Sequence, residues 1–340
     1  MKRITWTGNE KLEYTEDAPE PQGSLDDNDI LLRVTALGLC STDVHVIQGN
    51  VRFIEPPHVL GHEIAGIIEK TGANVSRVKP GDRVTVDSVV GCGVCSFCLR
   101  GSTQFCHDGY EIGQTATGGM QEYLTIPERN VYPLPGSISD EEAAIMDTEV
   151  YGALMKPGIE KGSTLVVIGP GPAGLVAVQI ARIMEVGKII LLGTRPERLE
   201  IGKRLGADIT INVKTDDALE TITAATDGRG ADMVFEGAGT PASLALALDA
   251  AAPQGKVVLY GVYGSPVENV NVDTVNLKDL VLYGALSDRV GWDTVISWVE
   301  GGTLNLKELI THRFPFSEAF KAYETVRDRR EGVIKAILHP

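Results

Sequence analysis

Four of the five cysteines in this chain lie within one short stretch, and this cluster constrains the fold more than any other feature. Thiolates spaced by a few residues can converge on one tetrahedral metal ion, with Zn–S distances of about 2.3 Å. Because four protein ligands leave no open coordination position, we predict a structural zinc in a lobe at about residues 91–108. Its ligands would be Cys92, Cys95, Cys98 and Cys106.

Disulfides among these cysteines are the alternative, and the expected compartment argues against them. The N-terminus has no apolar run typical of a signal peptide, and no segment approaches the ~18 apolar residues of a membrane span. We therefore expect a cytoplasmic protein, in which clustered cysteines indicate a metal site. The net charge of −15 disfavours a nucleic-acid partner, because binding to phosphates requires basic patches.

The second half of the 340-residue chain alternates apolar strands with helical segments. The apolar run Thr164–Ile168 predicts a buried parallel strand, and a glycine-rich turn and a helix over residues 175–184 follow it. Further strands are predicted at residues 188–192, 209–212, 233–235 and 256–260. This alternation predicts an α/β protein that contains a Rossmann-type, doubly wound parallel sheet.

The glycine-rich turn lies between a strand and a helix, which is the setting of a dinucleotide-binding loop. Gly169 would make the tight turn, and Gly171 would let the backbone approach a pyrophosphate. Gly174 would allow the helix to pack closely on the strand, and Pro172 suits a first helical turn, where its missing N–H costs nothing. Together with Ala173, these residues form the predicted phosphate-binding site, and an ordinary glycine-rich loop is the alternative.

The residues after the second strand of this unit favour NADP over NAD. An acidic side chain at this place would hydrogen-bond the ribose 2′-hydroxyl of NAD, whereas this chain has Gly193, Thr194 and Arg195. Arg195 could pair with a 2′-phosphate, and Arg198 could assist it. Gly193 leaves room for the phosphate and Thr194 offers a hydroxyl group. The alternative is that Arg195 is a solvated surface residue.

The first ~90 residues alternate short β-rich runs with turns, which predicts a compact barrel or sandwich. Two polar motifs follow its strands, Cys40-Ser-Thr42-Asp43-Val-His45 and Gly61-His62-Glu63. In this order and spacing, and together with the four cysteines and the glycine-rich turn, the motifs resemble the medium-chain, zinc-dependent alcohol and polyol dehydrogenase family. The resemblance extends over essentially the whole chain.

The resemblance implies two domains, one of them inserted into the other. A GroES-like, β-rich catalytic domain would comprise residues 1–146 and 289–340. A Rossmann domain would comprise residues 147–288. The C-terminal segment would then return to the first domain, in agreement with a last predicted strand at residues 333–338.

The resemblance also implies roles for the first polar motifs. Cys40 and His62 would be ligands of a catalytic zinc that keeps one coordination position open. Glu63 would be a further ligand or lie just behind the metal, and Asp43 would hold the His62 imidazole in the required tautomer. The alternatives are a buried structural Cys40 and a His62 that is satisfied within the core.

A proton relay and a third protein ligand complete the implied site. Thr42 and His45 would carry a proton from the alcohol to solvent, and histidine side chains exchange protons near neutral pH. The family places a Cys, Asp or Glu ligand shortly before the Rossmann strand. Matching the preceding segment points to Asp147, with a short deletion, and Glu149 is the second choice. Solvated acidic side chains are the alternative for both residues.

The resemblance implies a zinc-dependent oxidoreductase that carries two zinc ions per chain, and the residues after the second strand of the Rossmann unit indicate NADP as its cofactor. It would transfer a hydride between NADP and a secondary alcohol, polyol or sugar, or the matching ketone. A homodimer or homotetramer is expected. Two other classes stay open: a catalytically silent NADP-binding protein, and a zinc-free quinone or enone reductase of the same superfamily.

Overall fold

The computed structural model describes residues 1–21, 25–51, 53–268, 270–286 and 290–340. Contacts within the chain divide it into two compact units. The first comprises Met1–Asp147, Trp292–Glu300 and Leu306–Pro340, and the second comprises Thr148–Gly291 and Gly301–Asn305. The domain boundary predicted between residues 288 and 289 lies outside the described residues.

The regular elements are numbered here in chain order. The strands are β1 Arg3–Gly8, β2 Lys11–Thr15, β3 Asp29–Leu39, β4 Glu63–Thr71, β5 Arg83–Val86, β6 Val89–Val90, β7 Tyr110–Glu111, β8 Tyr123–Pro127, β9 Val131–Pro133, β10 Thr164–Ile168, β11 Lys188–Gly193, β12 Ile209–Asn212, β13 Ala231–Glu236, β14 Ala251–Leu259, β15 Val281–Gly284, β16 Ile310–Pro315 and β17 Lys335–His339. The α-helices are α1 Ser41–Ile47, α2 Asp140–Ala144, α3 Glu149–Met155, α4 Pro172–Ile183, α5 Pro196–Arg204, α6 Ala218–Ala225, α7 Pro241–Ala250, α8 Asp273–Leu277, α9 Trp292–Glu300 and α10 Ala319–Arg327.

The first unit is built on a sheet with the strand order β16-β17-β3-β4-β5-β9, and β8 also pairs with β3. Strand β3 alternates half-buried and buried residues, and its last four residues are all buried. It pairs in antiparallel fashion with β4 on one side and with β17 on the other. The C-terminal strand therefore lies beside the strand that leads into Cys40. This sheet is the GroES-like, β-rich fold that the sequence predicted.

The second unit contains a sheet with the order β12-β11-β10-β13-β14-β15 among the described strands. Every pairing in it is parallel. All five residues of β10 are buried, as expected for a central strand that is covered by helices on both faces. Strand order reverses beside β10, which is the arrangement of a doubly wound Rossmann sheet. The predicted α/β fold class is confirmed.

The four clustered cysteines lie in an irregular lobe of the first unit. Strands β6 and β7 pair over two residues each and close the base of the lobe. Arg129 also donates a hydrogen bond from Nη2 to the Gly91 carbonyl oxygen, at 2.8 Å. Within the described part of the chain, none of the helices has both the length and the apolar character that a membrane-spanning helix needs.

Candidate functional site

Three potential metal ligands meet where β3 ends and β4 begins. Cys40 follows β3 directly, while His62 and Glu63 lie at the start of β4. Antiparallel pairing of Gly38 with Glu63 brings the two chain segments side by side. One ligand atom from each of Cys40, His62 and Glu63 lies within 4.8 Å of the others. A thiolate, an imidazole and a carboxylate are the donors that zinc accepts, so the Cys40 group fits this ion.

Asp43 links Cys40 and His62 from the first turn of α1. Its Oδ2 accepts a hydrogen bond from the Cys40 backbone N–H at 2.9 Å. Its Oδ1 lies 3.5 Å from Nδ1 of His62, and both side chains are buried. Burial lowers the pKa of His62, but the facing Asp43 carboxylate outweighs this effect and holds the pKa well above its ordinary value. The contact with Nδ1 leaves Nε2 as the ring atom for a metal.

A lysine that the sequence analysis did not single out completes the surroundings of Glu63. Lys335 in β17 donates a hydrogen bond from Nζ to Oε1 of Glu63 at 2.5 Å, and only 6% of the residue is exposed. Burial alone would lower the pKa of Lys335, but Glu63, together with Cys40 and Asp43, raises it above its ordinary value. The sequence could have indicated this residue, because Lys335 is the single charged residue in the apolar run at residues 333–338.

The structure places the two predicted relay residues on α1. Thr42 is half-buried, and its Oγ1 lies 3.7 Å from Sγ of Cys40. His45 lies one turn further along the helix and is exposed. The helix therefore carries one hydroxyl group beside Cys40 and one imidazole at the surface, while the relay itself stays a prediction.

Neither predicted acidic ligand belongs to the Cys40 group among the described residues. Asp147 is half-buried in the segment between α2 and α3. Glu149 begins α3, and its Oε2 accepts a hydrogen bond from the Tyr260 hydroxyl at 3.0 Å. Because Glu63 already supplies a third donor, the group does not depend on either residue, and the assignment of Asp147 stays a prediction.

The four lobe cysteines form a second group of potential ligands. One sulfur from each of the four lies within 4.8 Å of the others. Backbone N–H groups point at these sulfurs: Cys92 donates to Cys106, Cys95 to Cys92, and Cys98 to Cys95, at 3.3–3.4 Å. The N–H groups of Val94 and Cys95 lower the pKa of the Cys92 thiol to about 7. An all-thiolate set of this kind suits a closed, structural zinc.

The glycine-rich turn of the second unit has the geometry expected of a phosphate-binding loop. Gly169 adopts a φ of +105°, and helix α4 begins at Pro172 with Gly171 as its N-cap. A Cβ at Gly174 would lie 1.9 Å from the Gly169 carbonyl oxygen, so only glycine allows the helix to pack this closely. A Cβ at Gly171 would meet no atom of the described chain within 4 Å, which leaves its backbone accessible to a ligand. Ala173 lies in the first turn of α4.

The residues after β11 form the start of α5. A Cβ at Gly193 would lie 2.4 Å from Cγ of Pro170, so this glycine is required first for packing against the glycine-rich turn. Thr194 is exposed, Arg195 is the half-buried N-cap of α5, and Arg198 is buried in its first turn. Both arginine residues therefore follow the carboxyl end of β11, where the ribose of a dinucleotide binds in this fold.

The sequence analysis also missed a buried acid next to this turn. Glu236 ends β13 and has no exposed surface. Its side chain accepts hydrogen bonds from the N–H groups of Ala238 and Gly239, at 2.8 and 3.0 Å, and from the Tyr263 hydroxyl at 2.5 Å. Glu236 thereby fixes the loop whose Gly237 N–H donates to the Ile168 carbonyl oxygen. The sequence could have indicated Glu236, because it directly follows the apolar run at residues 233–235.

Two family models match the chain. The one described as alcohol dehydrogenase GroES-like domain matches residues 26–136, and the one described as zinc-binding dehydrogenase matches residues 172–301. Two curated relatives are each 32% identical to the chain. L-threonine 3-dehydrogenase of Bacillus subtilis (strain 168) aligns over 95% of this chain and 94% of its own length. Sorbitol dehydrogenase of the same strain aligns over 94% and 92%.

Solved structures give the same answer. Alcohol dehydrogenase TADH from Thermus sp. ATN1 superposes with a TM-score of 0.90 at 31% identity and covers 100% of this chain and 99% of its own. A candidate zinc-binding dehydrogenase from Sinorhizobium meliloti 1021, bound to NADP, gives 0.90 at 26% identity, with 100% and 99% covered. A short chain alcohol dehydrogenase from Escherichia coli CFT073, complexed with NADH, gives 0.91 at 28% identity, with the same coverage.

The matched domains, the length of the alignments and the two groups of potential zinc ligands all indicate the same family. The chain belongs to the zinc-dependent medium-chain dehydrogenase family, an assignment that confirms the resemblance found in the sequence. Within this family it is related to zinc-type alcohol and polyol dehydrogenases, which use zinc and a nicotinamide cofactor.

Proposed function

We propose that this protein is an NADP-dependent zinc dehydrogenase that transfers a hydride between NADP and a secondary alcohol, polyol or sugar, or the matching ketone. The observation that carries the proposal is the convergence of Cys40, His62 and Glu63 within 4.8 Å at the end of β3. Three donors leave one position of a tetrahedral ion open, as a catalytic zinc requires. In this proposal the first unit is the catalytic domain and the second is the dinucleotide-binding domain.

The residues in and around the Cys40 group would have different roles in the reaction. Bound zinc would supply Lewis-acid stabilisation of charge on the substrate oxygen. Asp43, which lies 3.5 Å from Nδ1 of His62, would hold the ring and leave Nε2 for the metal. Thr42 would receive the hydroxyl proton beside Cys40, and the exposed His45 would release it to solvent. In the second unit, backbone N–H groups at the start of α4 would hold the cofactor pyrophosphate.

The proposed preference for NADP rests on the side chains after β11. Arg195 and Arg198 provide cationic groups at this place, where an NAD-selective chain carries an acid. Related structures contain either NADP or NADH, so membership of the family leaves the preference to these local residues. A guanidinium group can form two hydrogen bonds to the 2′-phosphate of NADP. The ribose of NAD has no phosphate at this position.

The deciding experiment is oxidation of a panel of secondary alcohols, polyols and sugars with NADP and with NAD. We expect a higher kcat/KM for NADP, and we expect Arg195→Ala to lower that value by about tenfold to a hundredfold while NAD changes little. Lys203→Ala, at the far end of α5, is the matched control. A clear NAD preference of the unaltered protein would contradict the cofactor assignment.

The same panel separates the other classes. NADP binding without turnover of any substrate would favour a catalytically silent protein. Absence of zinc from the purified protein would favour a quinone or enone reductase. We further propose two zinc ions per chain and a homodimer or homotetramer; the exposed apolar side chains of Val281 and Leu282 on the edge strand β15 support self-association.

A further inference from the structure

With zinc bound, the charges around Cys40 would sum to zero, and Lys335 is the group that completes this balance. Metal ligands bind in their deprotonated forms, so with zinc bound the negative groups would be the Cys40 thiolate and the carboxylates of Glu63 and of the neighbouring Asp43. With His62 neutral as a ligand, a divalent ion would supply two positive charges against these three negative ones. The Lys335 ammonium supplies the third positive charge, in a setting where unpaired charge is strongly disfavoured.

The two carboxylate oxygens of Glu63 have different surroundings. Oε1 accepts the hydrogen bond from Lys335 Nζ, whereas Oε2 is buried and has no hydrogen-bond partner among the described residues. Gly38 makes this position possible, because a Cβ there would lie 2.0 Å from Oε2. A buried carboxylate oxygen without a partner, close to a thiolate and an imidazole, is suited to a metal ligand.

We propose that Lys335 is a positioning residue of the Cys40 group: its ammonium holds one oxygen of Glu63, neutralises the zinc-loaded group and thereby sets its affinity for zinc. The inference rests on the catalytic zinc proposed above. A cation beside the ligand set competes with the metal for the Glu63 carboxylate and repels it. Lys335 therefore makes zinc binding weaker than the three donors alone would make it, in exchange for a neutral site.

The experiment measures the zinc dissociation constant by chelator competition in the full-length protein and in Lys335→Met, Lys335→Gln and Lys335→Arg. Cys40→Ala identifies the fraction of bound zinc that belongs to the Cys40 group rather than to the lobe. We expect the dissociation constant of that fraction to fall by about tenfold or more in Lys335→Met and Lys335→Gln. It should stay within about twofold of the unaltered value in Lys335→Arg, which keeps the charge.

Thermal unfolding of the zinc-free proteins provides the second readout. Lys335→Met should lower Tm by several degrees because Glu63 loses its partner, and the double variant Glu63→Gln/Lys335→Met should regain part of the loss. If Lys335→Met does not fold, zinc affinity and thermal unfolding are measured on Lys335→Gln, which keeps a hydrogen-bond donor.

Unchanged or weaker zinc binding in both neutral variants would overturn the inference and leave the catalytic zinc intact. A double variant less stable than Lys335→Met would also overturn it. If the unaltered protein had no Cys40-dependent zinc, both the inference and the proposed catalytic zinc would fail.

Discussion

The chain contains two groups of cysteine ligands that differ in their surroundings. Cys40 lies among buried charged side chains: Asp43 and Lys335 are at most 6% exposed, and His62 is exposed to the same small extent. The lobe cysteines are half-buried, as Cys40 is, but the contacts to their sulfurs come from backbone N–H groups. One group is surrounded by side chains that can hold or transfer charge, and the other by the main chain.

This difference assigns the two groups to different tasks. Backbone N–H groups stabilise thiolates but transfer no proton to a substrate, so the lobe is suited to holding its own fold. Side chains with opposed charges in a buried setting are typical of reactive sites. The conspicuous cluster of four cysteines therefore identifies the family, whereas the single Cys40 marks the place where we expect the chemistry.

The largest effect that follows from this comparison is a loss of turnover in Cys40→Ala. We expect kcat/KM to fall by about a thousandfold or more, because the metal loses its thiolate ligand. Circular dichroism should show that the protein stays folded. The matched control is Gln48→Ala at the exposed end of α1, which should keep full activity. Substantial turnover in Cys40→Ala would break the distinction between the two groups.

The second effect is a loss of stability in Cys98→Ser. Removing one of four ligands should release the lobe zinc and lower the free energy of unfolding by about 3 kcal/mol. The folded fraction should keep its turnover within a few fold. Zinc per chain, thermal unfolding and activity of the same sample check this, with the exposed lobe residue Leu99 changed to Ala as control. Loss of turnover at unchanged stability would show that the lobe takes part in catalysis.

The smallest effect concerns the remaining ligand of the Cys40 group. If Asp147 is a further ligand, Asp147→Ala should weaken zinc binding by about tenfold, less than Glu63→Ala, because Asp147 lies outside the group that Cys40, His62 and Glu63 already form. Glu149→Ala is the matched control, since the Glu149 carboxylate is engaged by Tyr260. Zinc content after dialysis against a weak chelator measures all three variants. Equal zinc retention in Asp147→Ala and the unaltered protein would exclude Asp147 as a ligand.

Features with a local cause were predictable from the sequence. The apolar run 164–168 became the buried strand β10, and Pro172 begins α4 as its fixed backbone geometry favours. The four cysteines converge because short spacings limit where their side chains can go. Helix α1 has only seven residues, a pattern too short for the sequence alone to predict it.

Features that depend on distant pairing were not predictable. Lys335 and Glu63 are 272 positions apart, and only the pairing of β17 with β3 and of β3 with β4 brings them together. Matching the segment before the Rossmann strand pointed to Asp147, whereas among the described residues the structure gathers Cys40, His62 and Glu63, and Glu63 was also a predicted ligand. Helix α10 was also missed, although it packs on β17 in the first unit.

The position of β17 has a consequence for the order in which the protein becomes functional during synthesis. Glu63 is made early, but its charge partner is not available until translation has passed residue 335. Until then the Glu63 carboxylate lacks this ammonium partner. The pairing of Glu63 with its cation is therefore a late event, coupled to the arrival of the C-terminal strand rather than to the folding of the segments that carry the ligands.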